Sequence, residues 1–436
     1  MQKEVRKMRS NLEVGLIKNK NRSLILAIEN SKGINQVVFP NNFKLLPNVT
    51  EIFELELAFY EFKTLTKDNL IKRSAYFQSI DGQETIHFQL CKETCEALWK
   101  NRSRATASYF RNGLFSTGYA THGLFPYRGK FHPQLIKSLL NLIGIREGET
   151  VLDPMCGSGT LNVEASLMNI KSIGVDKNPF GCFMSKVKLD SLKIDVNKLE
   201  EETTKNNSTT KSFLRNKKIQ KNLLGLDDEK SKIRRLFLLA YLDAMGYARR
   251  TQRSIDILFP IVLERYLEQV KHFLRISKKI NLKIGESKIE FGDARNLTFI
   301  KDSSIDGIIT SPPYSFAIDY AENDRPQLEY LGYDVNKLKE EMIGLHGKGL
   351  KEKLNLYFQD MNKVLQEMAR VLKVGKYTVI IIGSNDIQTK GIRLENKIKE
   401  MAPLHNLKLV REIKKPIKGL RNTMQDEFIL IFKKVR

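Results

Sequence analysis

Residues 150–176 read TVLDPMCGSGTLNVEASLMNIKSIGVD, and this stretch decides the fold. Its first four residues, 150–153, form a short apolar run of strand character. A Gly-rich turn follows, Asp153-Pro154-Met155-Cys156-Gly157-Ser158-Gly159-Thr160. Residues 158–168 then take up helical spacing, with Ala165 and Leu167 inward, and 171–176 is a second strand. Strand, turn, helix and strand in that order make a β-α-β unit, the building block of a doubly wound sheet. The glycines let the backbone come close to a ligand. The turn lacks the Lys-Ser/Thr ending of a triphosphate loop, which disfavours that ligand. Asp176 ends the second strand, 23 residues beyond Asp153. An acid about 20 residues past such a turn is placed to accept hydrogen bonds from both hydroxyls of an adenosine ribose.

Working outward, 133–143 reads as an amphipathic helix with Leu135, Ile136, Leu139, Leu140 and Ile143 on one side. Strand patterns recur at 288–292, 304–310 and 377–383, with a helix at 355–372 that Gly375 would terminate. Runs at 407–413 and 427–432 suit an antiparallel closing pair. Asp293 follows the strand at 288–292, so it shares the sheet edge with Asp153 and Asp176 and can reach an adenine amino group. Residues 190–285 interrupt this alternation. They are basic, with helices expected at 236–245 and 261–276 and a polar loop at 206–210. Ten Lys or Arg face three acids (Asp227, Asp228, Glu229) between Lys205 and Arg235, making this the best source of phosphate contacts. Residues 1–110 read as a separate module. It has β-like runs at 24–28 and 36–39, one or two half-buried strands at 51–62, and a short helix at 91–100 carrying Trp99. No chemical motif lies there, although the basic arm from Lys3 to Arg22 suits a phosphate backbone. The predicted architecture is therefore α/β: a doubly wound, Rossmann-like sheet in 111–436 with a helical basic insertion at 190–285, preceded by an N-terminal α+β module.

Thr310-Ser311-Pro312-Pro313-Tyr314 follows the apolar run Ile305, Ile308, Ile309. Two successive prolines remove two N–H donors and fix two φ angles. What remains is a stiff turn with carbonyl acceptors, a hydroxyl and an aromatic face. That suits a planar amino-bearing ring better than a phosphate, which needs N–H donors.

The formal net charge of +23 points to a polyanionic partner, nucleic acid first. A bland surface bias toward lysine is the competing reading. No run approaches the ~20 apolar residues that span a bilayer, and the basic N-terminus has no apolar stretch behind it, so a cytoplasmic location is expected. Cys91 and Cys95 stack on one helix face, but no second Cys or His pair lies near in sequence. Reduced thiols and no metal site are expected. His122 and His132 read as structural because no acidic or Cys partner is near them in sequence.

These residues resemble the amino-methylating DNA methyltransferases that use S-adenosylmethionine, over about 120–190 and 285–385. The stretch 153–160 is similar to their cofactor loop, 310–314 to their catalytic motif, and FPYRGKFHP at 125–133 to the segment that holds the methionine part of the cofactor. The resemblance implies that Lys130, Phe131, Asp153, Pro154, Gly157, Gly159, Thr160, Asp176, Asn178, Asp293 and Ala294 bind S-adenosylmethionine. It makes Ser311, Pro312, Pro313 and Tyr314 catalytic. Met155 stands where the family usually has Phe, and the insertion falls before the Asp293 strand, an unusual place for a target-recognition domain. Ser-Pro-Pro-Tyr is the version associated with cytosine N4; Asp- or Asn-Pro-Pro-Tyr is more typical of adenine N6. Double-stranded DNA is the implied substrate, with room for a restriction endonuclease partner in the same system. Adenine N6 methylation, methylation of tRNA or rRNA bases, a non-catalytic nucleic-acid-binding subunit and small-molecule amine methylation are the alternatives.

Overall fold

The structure is a computed structural model that describes residues 38–99, 117–127, 129–205, 226–313, 319–384, 389–416 and 426–436. The arm at 3–22, the run at 24–28, the start of the run at 36–39, the loop at 206–210, Arg128 and Tyr314 lie outside the described residues.

The N-terminal module is α+β. Three antiparallel strands, β1 (Phe43–Leu45), β2 (Phe77–Ile80) and β3 (Gln83–Glu84), pack with helices α1 (Ile52–Thr64), α2 (Lys67–Arg73) and α3 (Ile86–Trp99). The strand expected at 51–62 is the helix α1. Its buried residues Phe53, Leu57, Ala58, Phe59 and Glu61 cluster at helical intervals, and Glu51 and Glu54 form a capping box at its start. The acid–apolar alternation there fits both periods over so short a window. Among the described residues the module shares its core with the larger domain. Phe39, Leu57 and Phe77 join one apolar cluster with Leu135 and Leu139 of α4 (Pro133–Leu142) and with Ile413 and Ile431.

Glu61 is buried at that junction. Both its oxygens accept from the Ala75 N–H (3.1 and 3.0 Å), and Oε1 accepts from Asn141 Nδ2 (2.7 Å). Burial pushes its carboxyl up to about 7, with Asn141 pulling the other way. A carboxyl whose pKa is higher folded than unfolded keeps its stabilising contribution below the unfolded value, and loses it as pH rises through the folded one. Glu61→Gln, which cannot ionise, should therefore gain on the parent by about 1–3 kcal/mol between pH 4.5 and 7.5. Urea melts of both proteins at the two pH values check this, and a constant difference would refute it.

The main sheet has seven strands in the order β6-β5-β4-β7-β8-β10-β9. They are β4 (Thr150–Asp153), β5 (Lys171–Asp176), β6 (Ser287–Phe291), β7 (Ile305–Thr310), β8 (Leu372–Gly383), β9 (Leu407–Pro416) and β10 (Asp426–Lys434). The pairs among β4 to β8 are parallel, and β10 runs antiparallel to both β8 and β9, with Ile429 opposite Ile413. Every residue of β7 is buried, as a central parallel strand covered on both faces requires. Helices α5 (Thr160–Leu167) and α6 (Pro179–Asp190) follow β4 and β5, and the chain order reverses between β4 and β7. That reversal opens the crevice where doubly wound sheets take ligands. Gly375 does not end a helix. The preceding helix stops at Val371, and Gly375 (φ +80°) sits inside β8 where its register against β7 shifts. The extra residues bulge, and only glycine takes that φ cheaply.

Among its described residues the insertion has helices α7 (Val196–Lys205), α8 (Glu229–Thr251) and α9 (Ile255–Lys279), the last two longer than the apolar pattern suggested. Its described cations are partly committed inside. Arg235 is fully buried, with Nη2 on Asp190 at 2.7 Å, and Lys232 pairs with Glu229 at 3.4 Å. Arg235 is therefore a fold-holding group and not a phosphate contact. No helix among the described residues is long and apolar enough to cross a membrane.

Candidate functional site

The C-terminal ends of β4, β5, β6 and β7 lie side by side and frame one cavity of about 820 Å³, counting its open mouth. Each strand end delivers a motif. β4 leads into Pro154, Met155 and Gly157, β5 into Asp176, Lys177 and Asn178, β6 into Asp293 and Ala294, and β7 into Ser311 and Pro313; all line the cavity. Beneath it, Thr310 Oγ1 donates to Asp153 Oδ1 at 2.8 Å, tying the end of β7 to the end of β4. The cofactor loop and the Ser-Pro-Pro turn are thus held in one frame by adjacent strands.

The loop is fixed from both sides. Gly157 N–H donates to Asp176 Oδ2 (2.6 Å), while its carbonyl accepts from Ser185 Oγ of α6 (2.8 Å). The Ser158 carbonyl accepts from the buried Lys188 ammonium (3.2 Å). Gly159 has φ +72°, and a Cβ there would stand 2.7 Å from Ser185 Oγ, so both backbone and space demand glycine. Asp176 Oδ1 accepts the Asn178 N–H at 2.7 Å, and burial raises its carboxyl above the usual range. Burial also works against ionisation of Asp293. Arg295 outweighs it through Nε (2.9 Å) and Nη2 (2.7 Å), so the Asp293 carboxyl sits below the usual range.

Several sequence-predicted residues stand elsewhere. Asp153, Gly159 and Thr160 lie behind the cavity wall as its support; Asp153 is fully buried, its Oδ2 has no partner among the described residues, and burial pushes it to about 7. Lys130 is turned away. Its ammonium donates to the carbonyls of Thr117 (2.7 Å) and His122 (3.1 Å), and burial lowers it to about 8. Phe131 packs on the apolar cluster shared with the N-terminal module. From the same segment it is Tyr127 and Gly129 that reach the cavity. Pro312 is buried behind Ser311 and Pro313, and Tyr314 lies outside the described residues. Cys156 is buried, and burial raises its thiol well above the ordinary value, which suits packing and not nucleophilic attack. His122 does have an acidic partner, unseen from local sequence. Its Nε2 lies 2.7 Å from Glu164 Oε1, in a fully buried pair off the cavity, and burial holds the imidazole down at about 4. Among the described residues no cluster of three His, Cys, Asp or Glu could hold a metal ion.

Sequence reading missed one wall altogether. Glu341, which ends α10 (Val335–Glu341), and Met342, Ile343 and Leu345 after it line the same cavity. Lys177 Nζ pairs with Glu341 at 2.7 Å, and Arg295 Nη2 donates to the Glu341 carbonyl at 2.7 Å. Only the cation two residues after Asp293 hinted at this clamp. Tyr320 is the other addition. Its ring faces Tyr127 at 23° with centroids 6.4 Å apart, and a Cβ on Gly129 would stand 2.5 Å from Tyr320 Cε1. Gly129→Ala should therefore displace Tyr320 and weaken cofactor binding about tenfold, in line with overpacking costs of about 1–3 kcal/mol. Calorimetric titration against the parent tests this; equal affinities would remove Gly129 from the wall's design.

The arrangement fits S-adenosylmethionine. A loop without side chains at 157 and 159 leaves room for close approach, Asp176 offers carboxylate acceptors, Asp293 and Ala294 flank the far end, and Met155 and Ile343 supply apolar faces.

Two family models match the chain. One, described as an RMKL-like methyltransferase domain, covers residues 124–235; the other, described as a DNA methylase of the N6/N4 type, covers residues 305–436. Among curated relatives, the Type II methyltransferase M.MjaII of Methanocaldococcus jannaschii is 26% identical over 427 residues, covering 70% of this chain and 78% of its own. The Type II methyltransferase M.BsoBI of Geobacillus stearothermophilus is 27% identical over 277 residues, 50% of this chain and 54% of its own. A tRNA (guanine(10)-N2)-dimethyltransferase of Methanothermobacter thermautotrophicus is 40% identical over 52 residues, 12% of this chain and 16% of its own.

Proposed function

We propose, from the premise that this chain belongs to the amino-methylating DNA methyltransferases that use S-adenosylmethionine, that it methylates the N4 amine of a cytosine extruded from duplex DNA. The observation that carries this reading is the shared cavity. Ser311 and Pro313 line the same space as Gly157, Asp176 and Asp293. Serine at 311 leans the reading to cytosine over adenine, through the motif version that the family associates with that base. We take 111–436 as the methyltransferase domain with its insertion at 190–285, and the N-terminal module as a buttress on α4.

Asp176 would hold the ribose hydroxyls, Asp293 and Ala294 the adenine, and Gly157 the close approach of the methionine part. The bound cofactor supplies the methyl group on a sulfonium. An exocyclic amine is a weak nucleophile because its lone pair is delocalised into the ring. Ser311 Oγ and the Pro312 carbonyl would accept its two N–H groups, favouring a pyramidal nitrogen with the lone pair exposed. Tyr314 would stack on the extruded base. The contribution of these groups is mostly positioning, and no cysteine adduct is required.

The test is incubation with labelled S-adenosylmethionine and DNA or RNA separately, then digestion to nucleosides. N4-methylcytosine from DNA is expected. N6-methyladenine, or label confined to RNA, would overturn the assignment.

A further inference from the structure

A second cavity, also about 820 Å³ with its mouth, adjoins the first across Tyr127, Gly129 and Tyr320. Its far wall is the insertion. Asp243, Gly246, Arg249 and Arg250 of α8 face the segment that carries Asp324 and Gln327. The two cavities are also wired together by Asn178. Its N–H holds Asp176 on one side, and its Nδ2 donates to Asp324 Oδ2 at 2.8 Å on the other.

The charges in this cavity are unequally satisfied. Asp243 is paired with Arg265 (2.6 Å) and accepts from the Tyr266 hydroxyl (3.1 Å). Arg250 lies over the Tyr247 ring at 4.7 Å and donates to the Gly246 carbonyl at 3.2 Å, with no salt bridge among the described residues. Arg249 is exposed and has no ion-pair partner among the described residues. Gln327 is 5% exposed. Its Nε2 donates to the Leu242 carbonyl at 3.3 Å, while its Oε1 has no partner among the described residues.

Two exposed guanidinium groups at the rim, neither in a salt bridge among the described residues, an aromatic wall and an amide side chain are the complements of phosphate, ring and base edge. We propose that this cavity takes one nucleotide of the substrate strand other than the methylated one, its phosphate on Arg249 and Arg250 and its base edge against the Gln327 side chain that lines the wall. It is not the methyl acceptor's pocket, because Ser311 and Pro313 line the first cavity and not this one. The inference rests on the nucleic-acid methyltransferase reading above. It gives the insertion a role in reading sequence through a helix wall beside the cofactor, distinct from the basic residues between 205 and 235.

The arginines are exposed, so the Arg249→Ala/Arg250→Ala double variant should fold. Binding of a short DNA duplex by the full chain is measured by anisotropy across a salt series, with S-adenosylmethionine affinity measured alongside. The log–log salt slope should become shallower by about 1–2, with cofactor affinity unchanged. An unchanged slope would overturn the proposal, as would a loss of cofactor affinity with DNA binding intact, since the anionic partner would then be the cofactor carboxylate. Gln327→Leu should relax selectivity at one position of the methylated site, read by sequencing the modified DNA; unaltered selectivity would remove the base-reading half. The slope needs no turnover, so a parent enzyme that methylates no nucleic acid would sink the functional reading and leave this test standing.

Discussion

Ser311→Ala is expected to lower kcat by about 10²- to 10³-fold while S-adenosylmethionine affinity stays within about twofold, the range seen when one preorganised polar group is taken from a transition state. The residue begins the turn after β7, a strand whose every residue is buried and whose last residue, Thr310, is hydrogen-bonded to Asp153. The hydroxyl is therefore carried by a rigid frame, and its removal should not disturb the loop at 157–159, which is held by Asp176, Ser185 and Lys188. In the proposed chemistry the Ser311 hydroxyl matters most as the amine pyramidalises, so its loss falls on turnover and not on ground-state binding. Single-turnover methyl transfer with saturating cofactor gives the rate, and calorimetry gives the affinity. Parallel losses in both would recast Ser311 as a cofactor ligand, and no loss in either would remove it from the mechanism.

Asp176→Ala is expected to do the converse and more. Cofactor Kd should rise by about 10²- to 10³-fold, since hydrogen bonds to a charged group are each worth about 1.5–3 kcal/mol and two ribose hydroxyls lose their acceptor. The carboxylate also receives the N–H groups of Gly157 and Asn178 at 2.6 and 2.7 Å, so its loss frees the cofactor loop and the start of α6 together. Burial raises this carboxyl, so it protonates at a higher pH than a surface aspartate. The protonated form is the weaker acceptor, and parent affinity should fall as pH drops, with that dependence absent from the variant. Equilibrium dialysis across pH checks both statements. A variant that binds within about threefold of the parent, well under the cost of even one such bond, would rule out the ribose role.

Much of the site was legible because its motifs are local. Pro154, Asp176, Asp293 and Ser311 each lie at or just past the end of a strand that the sequence marks by an apolar run, and a parallel sheet brings such ends to one edge without further information. β4 and β5 occur with the bounds their pattern predicts. The misreadings share a cause. In 51–62 the apolar residues satisfy both periods, and the choice of helix was made by the capping box and by packing on α4. In 125–133 nothing in the residue types tells Lys130 from Tyr127; the lysine points away because two carbonyls take its ammonium. His122 looked partnerless because Glu164 is distant in the chain and close only after α5 packs.

By itself, then, the sequence determined the alternation of strands and helices, the Gly turn and its following acid, the stiff Ser-Pro-Pro turn, and through them the sheet and the class of ligand. All of these are set by neighbouring residues along the chain, where periodicity and backbone preference act. The tertiary structure alone decided which side chains face the cavity, that 341–345 clamps it through Lys177 and Arg295, and that an insertion helix walls a second cavity beside it. Those facts depend on packing between segments far apart in the chain, and such packing leaves no mark in the local pattern of either partner.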